Sequence, residues 1–130
     1  MTADPIPREL RRYLLSGTVT VPHVEAILQL RADPGISWDA ASLAARLYVR
    51  HEAAADLLRD LHASGIAQVA GTPAVPTYRY GPAAPALETL LEQLQVAYTL
   101  HLGDVARLIH SVEGKKAHAF ADAFRFRKEP

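Results

Sequence analysis

The stretch Ser37–Gly71, SWDAASLAARLYVRHEAAADLLRDLHASGIAQVAG, decides how the whole chain is read. Ser37 and Asp39 offer caps to a helix predicted from Asp39 to Leu47, which buries Leu43, Ala44 and Leu47. After Tyr48, Val49 and Arg50 a second helix is predicted over 51–64, with Ala54, Leu57, Leu58 and Leu61 as its core line. Gly65 ends it, because a helix C-terminus favours a residue free to adopt the left-handed conformation. Beyond Gly65 the apolar period changes from helical to extended. The segments IAQVAG (66–71) and TYRYG (77–81) read as two short strands, joined by a tip containing Gly71, Pro73 and Pro76. Tyr78 and Tyr80 share one face of the second strand, and Thr77 and Arg79 share the other.

Upstream, PRELRRYLL (7–15) sets Leu10, Tyr13 and Leu14 on one side and Arg8, Arg11 and Arg12 around the other, which predicts a short amphipathic helix. A second helix is expected from Thr20 or Val21 to about Asp33, with Val24, Ile27, Leu28 and Arg31 at helical spacing and Pro34-Gly35 as its stop. Ile36 leaves room for a token strand. Downstream, Pro82 and Pro85 punctuate the entry to a long helix expected over 86–112, in which Gly103 marks a bend or a close helix contact. A final helix is expected in KKAHAFADAFRFRK (115–128).

The 130 residues fit one compact domain: N-terminal helices over 1–36, a helix-turn-helix with a hairpin over 37–81, and C-terminal helices over 82–130. The fold class is mainly α with a small β-hairpin. There is no Cys, which excludes disulfides, thiolate metal sites and Cys nucleophiles and suits a reducing cytoplasm. The N-terminus MTADPIPREL has no basic flank followed by an apolar run, so a soluble, unprocessed chain without a membrane partner is expected. Fourteen Lys and Arg balance fourteen Asp and Glu, so no global field draws the chain onto a polyanion. The two ends are basic and the middle is acidic.

Helix, short turn, helix, Gly and two strands is the order of the winged helix-turn-helix superfamily, which residues 37–81 resemble through Leu43-Ala44, Leu47, Val49, Ala54, Leu57, Leu61 and Gly65-Ile66. With two helices before the motif and two after it, the whole chain resembles the MarR type of winged helix. That resemblance implies a bacterial transcriptional regulator whose terminal helices make a homodimer and whose partner is double-stranded DNA. The chain departs from that type in its wing, which lacks the Asp-x-Arg element and is short and stiffened by proline. The ending FADAFRFRK (120–128) resembles small uncharacterised bacterial winged-helix proteins, a likeness that implies fold and no activity.

The outward side of the second motif helix carries Glu52, Asp56 and Arg59, with Asp60 at its flank, and is net negative. Carboxylates between two phosphate rows oppose the counterion release that drives nonspecific DNA binding. An ordinary solvated face, with Arg59 paired to Asp56 at i, i+3, is the plainer reading of these acids. Arg50 and His51 stand at the helix N-terminus, where base-contacting residues sit, so the candidate DNA contacts are Arg50, His51 and Arg59, with Arg79 on the wing. Arg79 packing over Tyr78 or Tyr80 is the structural alternative. The basic clusters at Arg8, Arg11 and Arg12 and at Lys115, Lys116, Arg125, Arg127 and Lys128 read as solvated surface or as phosphate contacts.

The long helix shows more Leu than a monomer would hide, and a second copy is the partner that symmetry supplies most simply. The expected dimer surface comprises Leu87, Leu91, Leu94, Tyr98, Val105 and Leu108 with Phe120 and Phe124; coverage by the first two helices is the alternative. His101 and Asp104 would make half a metal site, but no second pair has recognisable spacing. Ser37, Ser42, Ser64 and Ser111 lack a Gly-x-Ser-x-Gly setting, and no Gly-rich phosphate loop occurs. The reading is a non-enzyme with no cofactor and no metal. Its competitor is an interaction module in which the acidic helix and the Phe-bearing tail, Phe126 included, bind a protein partner. A small-ligand pocket near Tyr98 and His101 is compatible with either.

Overall fold

A computed structural model of the chain describes residues 5–114. The final helix expected over 115–128, with Phe120, Phe124, Phe126 and the C-terminal basic cluster, lies outside the described residues. The described chain contains α1 (Arg8–Leu14), α2 (Val21–Ala32), α3 (Ala40–Leu47), α4 (His51–Ala63), β1 (Ala67–Gly71), β2 (Pro76–Tyr80), α5 (Pro85–Leu100) and a helix over 102–114, here α6. It divides into two compact units, one spanning Val21–Gln95 and the other built from the described residues before and after that span.

The first unit holds the helix-turn-helix and the wing. α3 starts at a capping box: Ser42 N–H donates to Asp39 Oδ1 at 2.8 Å, and Asp39 N–H donates to Ser42 Oγ at 3.0 Å. This satisfies two backbone donors that a helix start otherwise leaves unpaired. α3 presents Leu43 and α4 presents Ala54, Leu57, Leu58 and Leu61 to the core, as the apolar spacing requires. Ala44 and Leu47 are half-buried. α2 buries Val24, Ala26, Ile27 and Leu30 and packs on α3, α4 and β2, so it is the central helix of the unit. That explains why its buried residues do not form one narrow stripe: Leu30 is enclosed, whereas Leu28 is only half-buried.

α4 ends at Gly65, whose φ of 81° lies in the left-handed region. Gly65 N–H reaches His62 O at 3.0 Å and Ile66 N–H reaches Leu61 O at 2.9 Å, so the chain leaves the helix with its carbonyls satisfied. β1 and β2 pair antiparallel from Ala67 opposite Tyr80 to Gly71 opposite Pro76. At Gly71, with φ of 79°, an added Cβ would lie 2.8 Å from Val75 O, so only glycine fits this corner of the wing. Extended pairing before α3 falls at Trp38 and not at Ile36. Trp38 and Tyr78 exchange both backbone hydrogen bonds at 2.7 Å, and the indole is buried at 4% exposure. Ile36 N–H is instead taken by Asp33 O at 3.1 Å, closing the turn through Pro34-Gly35.

The second unit is helical. Ile6, Leu10, Leu14 and Val19 are buried in its N-terminal part, and Ala97, Val105 and Ile109 in its C-terminal part. Burial raises the pKa of Tyr13 on α1. The single helix expected over 86–112 is broken at His101, between α5 and α6. His101 N–H still reaches Ala97 O at 2.7 Å and Val105 N–H reaches His101 O at 3.1 Å, so the chain bends without giving up these bonds. Gly103 makes no close helix contact: nothing stands within 4 Å of where its Cβ would lie.

Candidate nucleic-acid interface

The exposed side of α4 gathers His51, Glu52, Asp56, Arg59 and Asp60, preceded by Arg50 at the N-cap. Its three carboxylates each have a partner. Arg50 Nε stands 3.7 Å from Glu52 Oε2. Arg59 forms an ion pair and hydrogen bond with Asp56 one turn earlier, as its i, i+3 spacing suggests. Asp60 Oδ2 lies 3.0 Å from His23 Nε2 on α2. The face that reads as net negative in sequence is therefore arranged as local pairs. The exposed Arg50–Glu52 and Arg59–Asp56 pairs contribute little to stability, about 1 kcal/mol or less each, so their consequence is for the surface potential.

A cleft of about 460 Å³ opens between the start of α3, the outward side of α4 and the tip of the wing, with Asp39, His51, Arg59, Pro73, Val75 and Tyr78 among its lining residues. Two of the candidate contacts, His51 and Arg59, thus face one recess. The hydrogen bonds from Ser42 hold the Asp39 carboxyl below the usual carboxylate range. The wing tip is apolar, and Val75 is 57% exposed. Arg79 stands on β2 opposite Gln68, exposed, and its side chain has no hydrogen bond or ion pair among the described residues. It does not pack over Tyr78 or Tyr80. The stacked guanidinium is that of Arg46, 5.6 Å from the centre of the Trp38 ring.

The wing is fixed to its unit at both ends. His62 Nδ1 lies 3.0 Å from Ala67 O, and its ring meets that of Tyr78 edge-on with centroids 6.3 Å apart. At the other end Tyr80 donates to Glu88 Oε2 at 2.6 Å, while Arg31 donates to the Tyr80 hydroxyl and to Glu88 Oε1, both at 3.2 Å, and also bonds Gln95. Burial, together with the Glu88 carboxylate, pushes the Tyr80 phenol up to about 12. Burial works against the charge of Arg31, but its bonds to Tyr80 and Glu88 outweigh that and raise its pKa.

Sequence reasoning did not pick out Trp38, Arg46 or Tyr48. Trp38 is the one Trp of the chain and stands next to the Asp39 cap, the only signal that could have marked it. Of the expected dimer positions, Leu91, Leu94 and Val105 are fully enclosed within one chain, and Leu87, Tyr98 and Leu108 are half-buried. The exposed apolar side chains near the α5–α6 bend are Val96, Leu100 and Leu102, at 53%, 68% and 52%. Arg8 and Arg12 of α1 are exposed, with Arg12 4.0 Å from Glu9. A second cleft, of about 360 Å³, lies in the helical unit between Ile6, Arg11, Arg107 and Leu108. Neither cleft is lined by Tyr98 or His101. Among the described residues no group of three His, Asp or Glu is placed to hold a metal ion, and no helix is long and apolar enough to cross a membrane.

No family model matches the chain, and no curated protein matches it in sequence. Its likeness is to solved structures. A mutant of MarR from E. coli superposes with a TM-score of 0.54 at 14% identity, over 94% of this chain and 87% of that one. A mutant of MepR from S. aureus, bound to an oligodeoxyribonucleotide, gives 0.53 at 11% identity over 93% and 91%. A MarR family transcription regulator gives 0.52 at 21% identity over 91% and 78%. The chain therefore has a MarR-like winged helix-turn-helix fold, mainly α with a two-stranded wing.

Proposed function

We propose that this protein is a dimeric bacterial transcriptional regulator that acts in the cytoplasm and binds duplex DNA through α4 and the wing. The observation that carries this reading is the pairing of the α4 acids. Glu52, Asp56 and Asp60 are engaged by Arg50, Arg59 and His23. The helix then offers the groove a face on which each acid is held by a local partner, with Arg50 and His51 at its leading end, and Arg79 adds from the wing a cation with no ion-pair partner among the described residues. The MepR structure of the same fold is bound to an oligodeoxyribonucleotide, which supports the choice of ligand. The same pairing counts against a module that docks a protein through an acidic α4, since Glu52 and Asp56 already have arginine partners and Asp60 is bonded to His23.

Homodimerisation belongs to this proposal. Val96, Leu100 and Leu102 give the α5–α6 bend an exposed apolar surface that a second copy would cover, in the vicinity the Leu-rich helix suggests. Leu100→Glu is expected to convert the dimer to monomer in sedimentation equilibrium.

The test is capture of random genomic fragments by the purified protein at about 0.15 M salt, followed by sequencing. Enrichment of a two-fold-symmetric site is the expected outcome. Folded protein that enriches no fragment would overturn the reading.

A further inference from the structure

Tyr48 closes α3 with φ 57° and ψ 44°, and it is the one non-glycine among the described residues with positive φ. A helix end that needs this conformation favours glycine, because a Cβ there crowds the neighbouring carbonyl. The backbone hydrogen bonds that require it are in place: both Tyr48 N–H and Val49 N–H reach Ala44 O, the latter at 3.1 Å. Glycine would make the same bonds with less strain. The side chain offers the fold little in return, since it is 95% exposed and makes no hydrogen bond or ring contact among the described residues. A large aromatic phenol is thus held in solvent at a position where the fold would be better served without it. Strain retained at an exposed position is a mark of function.

Its position says what it meets. In a helix-turn-helix the first helix crosses the DNA backbone and the second enters the groove, so the turn between them lies where the phosphate strand borders the groove. Tyr48 occupies that turn, two residues before Arg50 and three before His51. Arg50 is itself 87% exposed. A tyrosine hydroxyl is a neutral donor suited to a phosphate oxygen, and such contacts fix register without carrying sequence information.

We propose that the Tyr48 hydroxyl donates a hydrogen bond to a backbone phosphate of duplex DNA at the edge of the groove entered by α4. This rests on the DNA-binding reading above and adds to it a contact that Arg50, His51, Arg59 and Arg79 do not supply.

The test uses the full chain, thermal unfolding, and fluorescence anisotropy on a mixed-sequence synthetic duplex at low salt. Tyr48→Gly is expected to raise Tm while weakening duplex binding about tenfold, the scale of one hydrogen bond to a charged group. Tyr48→Phe keeps the ring and the strain, so Tm should stay as in the wild type while affinity falls by a similar factor, equally on duplexes of different sequence. The salt slope should not change, because no cation is removed. A Tyr48→Phe protein that binds as tightly as the wild type overturns the hydroxyl contact. A lower Tm for Tyr48→Gly overturns it too, by giving the side chain a structural role. Wild-type protein that is folded yet binds no duplex defeats the DNA-binding reading itself, an outcome distinct from failure of the Tyr48 contact alone.

Discussion

The imidazole Nε2 of His23 on α2 stands 3.0 Å from the Asp60 carboxylate on α4, so that the last acid of the exposed helix is tied back to the helix behind it. Asp56 is differently placed: its partner, Arg59, is a neighbour on α4 itself and faces the wing cleft.

The two acids should therefore respond differently to removal. Asp60→Ala is expected to cost no more than about 1 kcal/mol in urea unfolding, since the carboxylate itself is exposed although His23 is half-buried, and to leave duplex affinity within about twofold. Asp56→Ala frees Arg59 for phosphate and should tighten nonspecific binding, steepening the log K against log salt slope by about one. Equal effects of the two substitutions on DNA would contradict this assignment.

Arg79 gives a second test because no carboxylate among the described residues competes for it. Arg79→Ala should weaken binding uniformly across sequences and lower the salt slope by about one, as loss of a single phosphate contact does. An unchanged slope would remove the wing cation from the interface. Stability should move by less than about 0.5 kcal/mol, as at an ordinary surface position.

Tyr80 ties the base of the wing to α5 through Glu88, and its pKa is raised from 10.0 to about 12. Folding thus favours the protonated phenol. The stabilisation linked to it is fully present below pH 10 and is lost as pH rises through about 12. Chemical unfolding across that window should show a decline in stability that is shallower in Tyr80→Phe. Parallel declines in the two proteins would exclude Tyr80 as the source.

The Asp39 cap predicts the opposite dependence. Its pKa lies below the ordinary 3.8 because Ser42 donates to the carboxylate. The stabilisation is therefore present above the ordinary value and is lost as pH falls through the lowered one. Asp39→Ala is expected to cost about 1 kcal/mol at neutral pH, and the difference from wild type should shrink in acid. A constant difference across the acid range would show that the carboxylate charge is not what caps α3.

Much of the core was legible because helix geometry alone dictates it. Leu43 and the line Ala54, Leu57, Leu58 and Leu61 are buried where their spacing puts them, and Gly65 has the positive φ that a helix exit needs. The Arg59–Asp56 pair was legible for the same reason, since residues three apart on a helix are neighbours. Trp38 was not, because one extended residue pairing with Tyr78 leaves no periodic trace. The sequence points to Gly103 as a bend or a close helix contact, whereas the helix breaks two residues earlier, at His101, and Gly103 has open space around it.

By itself the sequence determined the order of elements, the winged helix-turn-helix frame and the apolar faces of its helices, because these follow from local periods and from the conformational demands of single residues such as Gly65 and Asp39. Only the tertiary structure decided which of those surfaces are used up within the chain. Periodicity shows that Leu91, Leu94 and Val105 face something apolar, not that this chain alone encloses them. It shows that α4 is acidic, not that His23, 37 residues earlier, reaches Asp60 when α2 packs on α4. Burial and charge pairing depend on distances between segments far apart in the chain, and packing sets those distances.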